Sequence, residues 1–135
     1  EGACAEAACR VLVVEDAHDT LDMLQVIFES RGYLVTLCST ADEALRIAQN
    51  ASFDIIVSDI GLPQIDGYEL IKRLRELPHM RDVPAVALTG YAAPTDAEAA
   101  LSAGYDAHIP KPVDPVVLTN EVEGLLQRKA EGAQG

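Results

Sequence analysis

Four stretches of this chain place a chemically active side chain directly after a short apolar run. Val11-Leu12-Val13-Val14 leads to Glu15 and Asp16, Ile55-Ile56-Val57-Ser58 to Asp59, Ala85-Val86-Ala87-Leu88 to Thr89, and Ala107-His108-Ile109-Pro110 to Lys111. Runs this short read as strands, the β-branched run before Asp59 as a buried one, and the residues after them as strand tips. If the strands are parallel, the tips share one edge of a sheet and converge where strand order reverses. Three carboxylates held together there raise one another's pKa unless a cation lies among them, and hard oxygen ligands favour Mg²⁺. Lys111 adds a mobile point charge suited to a phosphoryl oxygen or to Asp59, and Thr89 adds a hydroxyl. A carboxylate nucleophile, a divalent cation, an ammonium and a hydroxyl together suit the transfer of a phosphoryl group onto aspartate, with Asp59 as acceptor. Each member taken singly reads more simply as a helix cap or turn former. Their appearance in order at successive strand tips reverses that reading.

The elements that must position these residues follow from periodicity. After the first strand, Leu21, Leu24, Ile27 and Phe28 recur at helical spacing until Arg31-Gly32, and a second strand spans 34–37. Thr40-Ala41-Asp42-Glu43 is a capping box opening a helix to about Asn50. The Asp59 strand is third. Its helix begins near Asp66-Gly67, with Tyr68, Leu70, Ile71 and Leu74 facing inward and Lys72, Arg73 and Arg75 on the solvated side. Met80-Arg81-Asp82 reads as a loop before the fourth strand. Thr95-Asp96-Ala97-Glu98 is a second capping box, starting a helix that Gly104 ends, and Val113-Asp114-Pro115 opens a last helix reaching Arg128. Strands alternating with helices predict an α/β fold with a five-stranded parallel sheet covered on both faces, over residues 10–128. Residues 1–9 read as a linker or loose N-terminus and 129–135 as a flexible tail.

With 135 residues and 49% hydrophobic content, the chain suits one domain with its own core. A net charge of −12, from 22 acidic against 10 basic residues, argues against direct binding to nucleic acid or anionic lipid. No apolar run reaches membrane-spanning length, and the N-terminus lacks a basic start and apolar middle, so a cytoplasmic location is expected. Cys4, Cys9 and Cys38 lack paired metal-site spacing and read as reduced thiols. His18 and His79 read as surface residues.

Over residues 10–128 the chain resembles the receiver domains of bacterial response regulators. The resemblance is carried by Val13-Val14-Glu15-Asp16, by Asp59-Ile60-Gly61-Leu62-Pro63-Gln64-Ile65-Asp66-Gly67, by Leu88-Thr89-Gly90 and by Lys111-Pro112-Val113. It implies a flavodoxin-like (βα)5 three-layer sandwich with strand order 2-1-3-4-5, which a chemotaxis protein of that family illustrates. It also implies that Asp59 takes a phosphoryl group from a phosphohistidine on a histidine kinase or histidine phosphotransfer domain. Asp16 and Asp59 would bind Mg²⁺ directly, Glu15 mostly through water and Gly61 by its carbonyl, while Thr89 and Lys111 contact the phosphoryl oxygens. The Lys111-Pro112 bond is often cis in such domains.

The family's switch aromatic, three residues before the lysine, is replaced by His108, which reads as a partly exposed residue outside the switch. Tyr91 is placed to shade the phosphoryl group or touch a partner. The segment 103–112 is more similar to receivers of hybrid histidine kinases than to those of DNA-binding regulators. The expected role is a phosphoacceptor switch in two-component signalling, with a phosphate sink or relay lacking a conformational output as the alternative. The chain is not expected to be a turnover enzyme: an aspartyl phosphatase on a similar sheet would need a second aspartate where Gly61 stands.

Overall fold

The structure is a computed structural model that describes residues 9–90 and 94–134, with the side chains of 94–97 and 130–134 outside the description. The expectations for residues 1–8, for Tyr91 and for the Thr95 cap therefore lie outside the described residues. Five strands, β1 (Arg10–Val14), β2 (Leu34–Cys38), β3 (Ile55–Asp59), β4 (Ala85–Thr89) and β5 (Ala107–Pro110), alternate with α1 (His18–Glu29), α2 (Ala41–Ala48), α3 (Gly67–Glu76), α4 (Pro94–Ala103) and α5 (Pro115–Gln134). All strand pairings are parallel, in the order β2-β1-β3-β4-β5. This is the doubly wound flavodoxin-like arrangement expected from the sequence.

The continuous apolar runs are explained by burial on both faces. Leu12, Val14, Ile56, Ala85 and Ala87 join one core with α2 and α3, while Val11, Val13, Ile55, Val57, Val86 and Leu88 join a second core with α1 and α5. Strand parity thus divides each run between two layers. Strand order reverses between β1 and β3, whose register pairs Val14 with Ser58 and so leaves Glu15 beside Asp59 at the sheet edge.

Thr40 caps α2 as its sequence predicts, its Oγ1 accepting from the Glu43 N–H at 3.1 Å, while Glu43 reaches back to the Ser39 N–H at 3.0 Å. Asp66 caps α3 by accepting from the Glu69 N–H at 2.9 Å. Helix α5 continues to Gln134 rather than ending at Arg128, consistent with the strong helix formers Lys129, Ala130 and Glu131 after that point. Met80 is not a simple loop residue, since it closes a 3-10 turn at Pro78–Met80 and is fully buried. Cys38 is a free buried thiol, whose pKa burial pushes up to about 12, whereas Cys9 is disulfide-bonded, contrary to the expectation of reduced thiols throughout. Among the described residues no helix is long and apolar enough to cross a membrane.

Arg75 departs most from its sequence expectation. It is not on the solvated side of α3. Its guanidinium donates to the carbonyls of Met80 at 3.0 Å, Val83, and Gly104 at 2.8 Å, and pairs with Asp106 at 3.3 Å. Position 75 lies four residues beyond Ile71, on the flank of the buried stripe, where a long side chain can turn inward. Asp106 also accepts from the Ala85 N–H at 2.8 Å, so the two residues tie the end of α3 to the starts of β4 and β5. Arg75→Ala strands several carbonyls at once and is expected to cost about 3 kcal/mol, or about 10 °C in Tm, measured by thermal unfolding.

Candidate functional site

The tips of β1, β3, β4 and β5 bring the sequence-predicted residues together. Glu15 is fully buried immediately after β1, and its Oε2 accepts from the Ala17 N–H at 3.0 Å, which fixes the turn into α1. Asp16, next in sequence, is exposed. Asp59 ends β3 and is buried, and its Oδ1 accepts from the Gly61 N–H at 3.2 Å. Carboxylate oxygens of Glu15, Asp16 and Asp59 lie within 4.8 Å of one another.

Lys111 closes the cluster. Its Nζ lies 2.8 Å from Glu15 Oε1 and 3.3 Å from Asp59 Oδ2. Burial raises the Glu15 pKa and the charge of Asp59 adds to this, while Lys111 and the Ala17 N–H pull it back. Burial alone would lower the Lys111 pKa, but its hydrogen bond to Glu15 and the two carboxylate charges outweigh it and leave the ammonium favoured. Three carboxylates against one ammonium leave two formal negative charges unbalanced, which matches one divalent cation. The all-oxygen donor set suits Mg²⁺. The three carboxylates gathered there fit that ion and would hold it.

Thr89 ends β4 on the same sheet face as Ala87, buried, and its Oγ1 has no hydrogen-bond partner among the described residues. His108 pairs in register with Ala87, so it faces the same layer as Thr89 one step back along β5. Sequence reading placed it as partly exposed, and it is half-buried, but its Nδ1 is fully enclosed and equally unpartnered among the described residues. His18 begins α1 and is exposed. His79 is exposed as expected, although its Nε2 hydrogen-bonds the Ala48 carbonyl at 2.6 Å. The Lys111-Pro112 peptide is cis.

Two supporting residues were not singled out by sequence reasoning. Gly67, the first residue of α3, donates its N–H to the Ile60 carbonyl at 2.8 Å and packs directly on the acceptor loop: a Cβ there would sit 2.5 Å from the Asp59 carbonyl oxygen and 2.6 Å from Ile60 Cα. Tyr105, buried at the approach to β5, donates its hydroxyl to the Gly67 carbonyl at 2.8 Å. The glycine beside the Asp66 cap was the available signal for the first. A tyrosine in an otherwise apolar approach to β5 was the signal for the second, since a buried hydroxyl needs a partner.

Residues 11–123 match the family model described as "Response regulator receiver domain". A curated 14.6 kDa protein of Leptolyngbya boryana, described as uncharacterized, is 43% identical over 113 residues, covering 84% of this chain and 86% of that one. The response regulator SaeR of Staphylococcus epidermidis is 33% identical over 121 residues, and there the match covers 90% of this chain but 52% of SaeR. Among solved structures, the receiver domain of the sensor histidine kinase PA1611 of Pseudomonas aeruginosa, with magnesium coordinated in its active-site cleft, superposes with a TM-score of 0.82 at 32% identity. That superposition covers 89% of this chain and 98% of that one.

Proposed function

This chain belongs to the response-regulator receiver domain family, and from that premise we propose that it takes a phosphoryl group onto Asp59 in a Mg²⁺-dependent step of two-component signalling. The observation that carries the reading is the buried Asp59 carboxylate gathered with Glu15 and Asp16 within 4.8 Å and closed over by Lys111. The proposed donor is a phosphohistidine on a histidine kinase or histidine phosphotransfer domain. An Asp59 oxygen forms the new P–O bond as the P–N bond breaks, and the leaving imidazole keeps the electron pair and takes a proton. Water later cleaves the P–O bond, restoring the carboxylate and releasing inorganic phosphate.

Bound Mg²⁺ would balance the carboxylate cluster and the charge on the phosphoryl oxygens. The remaining work falls to the chain's own groups. The Gly61 N–H and Lys111 hold the Asp59 carboxylate by its two oxygens, which limits its rotation before attack. Lys111 then shifts from Asp59 toward a phosphoryl oxygen, while Glu15 keeps it from leaving the site. The Thr89 hydroxyl, without a partner among the described residues, donates to another phosphoryl oxygen. The reading includes no turnover of an external substrate, and the setting proposed on the sequence alone is cytoplasmic. The proposed output is a population shift on the α4, β5 and α5 face, driven by the new anionic partner of Thr89 and Lys111.

The test is intact-mass measurement after incubation with Mg²⁺ and a small acyl phosphate. One phosphoryl group is expected per chain, absent with a chelator and lost under mild alkali as an acyl phosphate is. A chain that gains nothing from any donor, or gains it equally without the cation, overturns the reading.

A further inference from the structure

We propose that the Tyr105 hydroxyl is a positioning group for the Asp59 loop, strapping the start of α3 to the junction of α4 and β5. This rests on the phosphoacceptor reading for what the loop is used for. The strap has two anchored ends. On one side the hydroxyl donates to the Gly67 carbonyl at 2.8 Å across 38 residues of sequence, and Gly67 in turn backs onto the Asp59 carbonyl and Ile60 so closely that a methyl group does not fit. The Gly67 N–H closes the loop on the Ile60 carbonyl, and the Ser58 hydroxyl donates to the Asp59 carbonyl at 3.0 Å. The backbone carrying the acceptor carboxylate is therefore enclosed from the side on which Tyr105 pulls.

On the other side, Tyr105 lies between two residues that Arg75 grips. Gly104 offers its carbonyl to the guanidinium at 2.8 Å, and Asp106 pairs with it at 3.3 Å. The Tyr105 N–H donates to the Ala100 carbonyl at 3.0 Å, ending α4. Gly104 has φ +132°, so the turn that aims Tyr105 inward uses a backbone conformation that other residues rarely adopt. Burial first, and then the Asp59 and Asp66 charges, raise the phenol pKa against the opposing effects of Ser58 and Arg75, so the group remains a donor.

The plain alternative is that the ring fills the core and its hydroxyl is merely satisfied. A phenylalanine would fill the same space. The hydroxyl adds a directional link between a segment at the acceptor and a segment at the start of β5, the strand that ends next to Lys111. Motion at either end is then felt at the other: displacement of Asp59 on phosphorylation loads the strap, and displacement of α4 by a partner slackens it.

The test is Tyr105→Phe, which keeps the ring. Loss of one buried hydrogen bond is expected to speed amide exchange across residues 60–67 about fivefold, and to weaken Mg²⁺ affinity and slow phosphoryl uptake from an acyl phosphate by a similar factor. Phe28→Leu, in the opposite core between α1 and the sheet, lowers Tm without touching the loop and should leave all three readouts at the wild-type level. Wild-type exchange and wild-type Mg²⁺ affinity in Tyr105→Phe would overturn the proposal, as would equal changes in Phe28→Leu. The exchange measurement does not depend on phosphoryl chemistry. A strap found by exchange in a protein that takes up no phosphoryl group would overturn the proposed function and leave the strap standing.

Discussion

Asp59→Asn is expected to abolish phosphoryl uptake altogether while leaving the chain folded. The amide nitrogen or carbonyl of asparagine is no substitute for a carboxylate nucleophile, and no other carboxylate in the cluster is placed as Asp59 is. Glu15 is turned toward the Ala17 N–H and Lys111, and Asp16 lies on the exposed side. Folding should survive because Lys111 keeps its shorter contact, 2.8 Å to Glu15, when the 3.3 Å contact to Asp59 is weakened. Removing one carboxylate also relieves its repulsion of Glu15.

A second readout separates chemistry from binding. Mg²⁺ at ten times its dissociation constant should stabilise the wild-type protein by about 1.4 kcal/mol, an increase of about 5 °C in Tm. Asp59→Asn should lose most of that increase. Thermal unfolding with and without Mg²⁺ checks it, and an unchanged Mg²⁺ increment in the variant would remove Asp59 from the cation site.

Gly67→Ala is expected to lower both stability and phosphoryl uptake, because of the described glycines it leaves the least room for a Cβ. The added Cβ would meet backbone atoms of Asp59 and Ile60 at 2.5 and 2.6 Å, and neither can rotate away as a side-chain end can. Either α3 backs off and gives up contacts of Leu70, Ile71 and Leu74, or the Asp59 backbone moves. The first outcome costs on the order of 3 kcal/mol. The second misplaces the nucleophile by a fraction of an ångström or more, enough to slow uptake by about 100-fold.

Gly124→Ala is the matched control. Its Cβ would meet nothing nearer than Arg128 Nη1 at 3.8 Å, within α5. There the ordinary helix preference for alanine applies, and stability should rise by about 0.5–1 kcal/mol. Opposite signs for the same methyl group, measured by chemical unfolding, would show that the acceptor loop and not glycine content in general sets the cost. A Gly67→Ala protein of wild-type stability would refute the close packing described.

The parts of the site readable in sequence are those fixed by strand periodicity. Glu15, Asp59 and Thr89 each terminate or follow a strand buried on both faces, and Lys111 follows the half-buried edge strand β5, so their shared edge followed from the parallel sheet. Caps were equally legible at Thr40 and Asp66, where a side-chain oxygen meets an N–H three residues on. What was not legible depended on approach between distant segments. Arg75 looks like Lys72 and Arg73 in a row of bases until the carbonyls of Val83 and Gly104 are placed around it. Gly67 looks like a turn residue until β3 passes 2.5 Å from its missing methyl. His108 looked half-exposed, which describes the residue but not its enclosed Nδ1. In each case local pattern gives the element and only tertiary contact gives the burden on the side chain.

The buried Thr89 hydroxyl, with no hydrogen-bond partner among the described residues, carries a quantitative implication. A polar group shut away from water without a partner costs about 1–3 kcal/mol, and among the described residues none offsets that cost for the Thr89 hydroxyl. Whatever supplies the missing acceptor returns it, so the penalty is a reserve set by the fold before any signal arrives. Converted to populations, that reserve allows one arriving anion to tilt a two-state balance by about 5- to 150-fold through this contact. Under the proposed phosphoacceptor function, Thr89 would be the amplifier setting of the domain: a threonine already supplied with an acceptor would leave the gain between input and output near one.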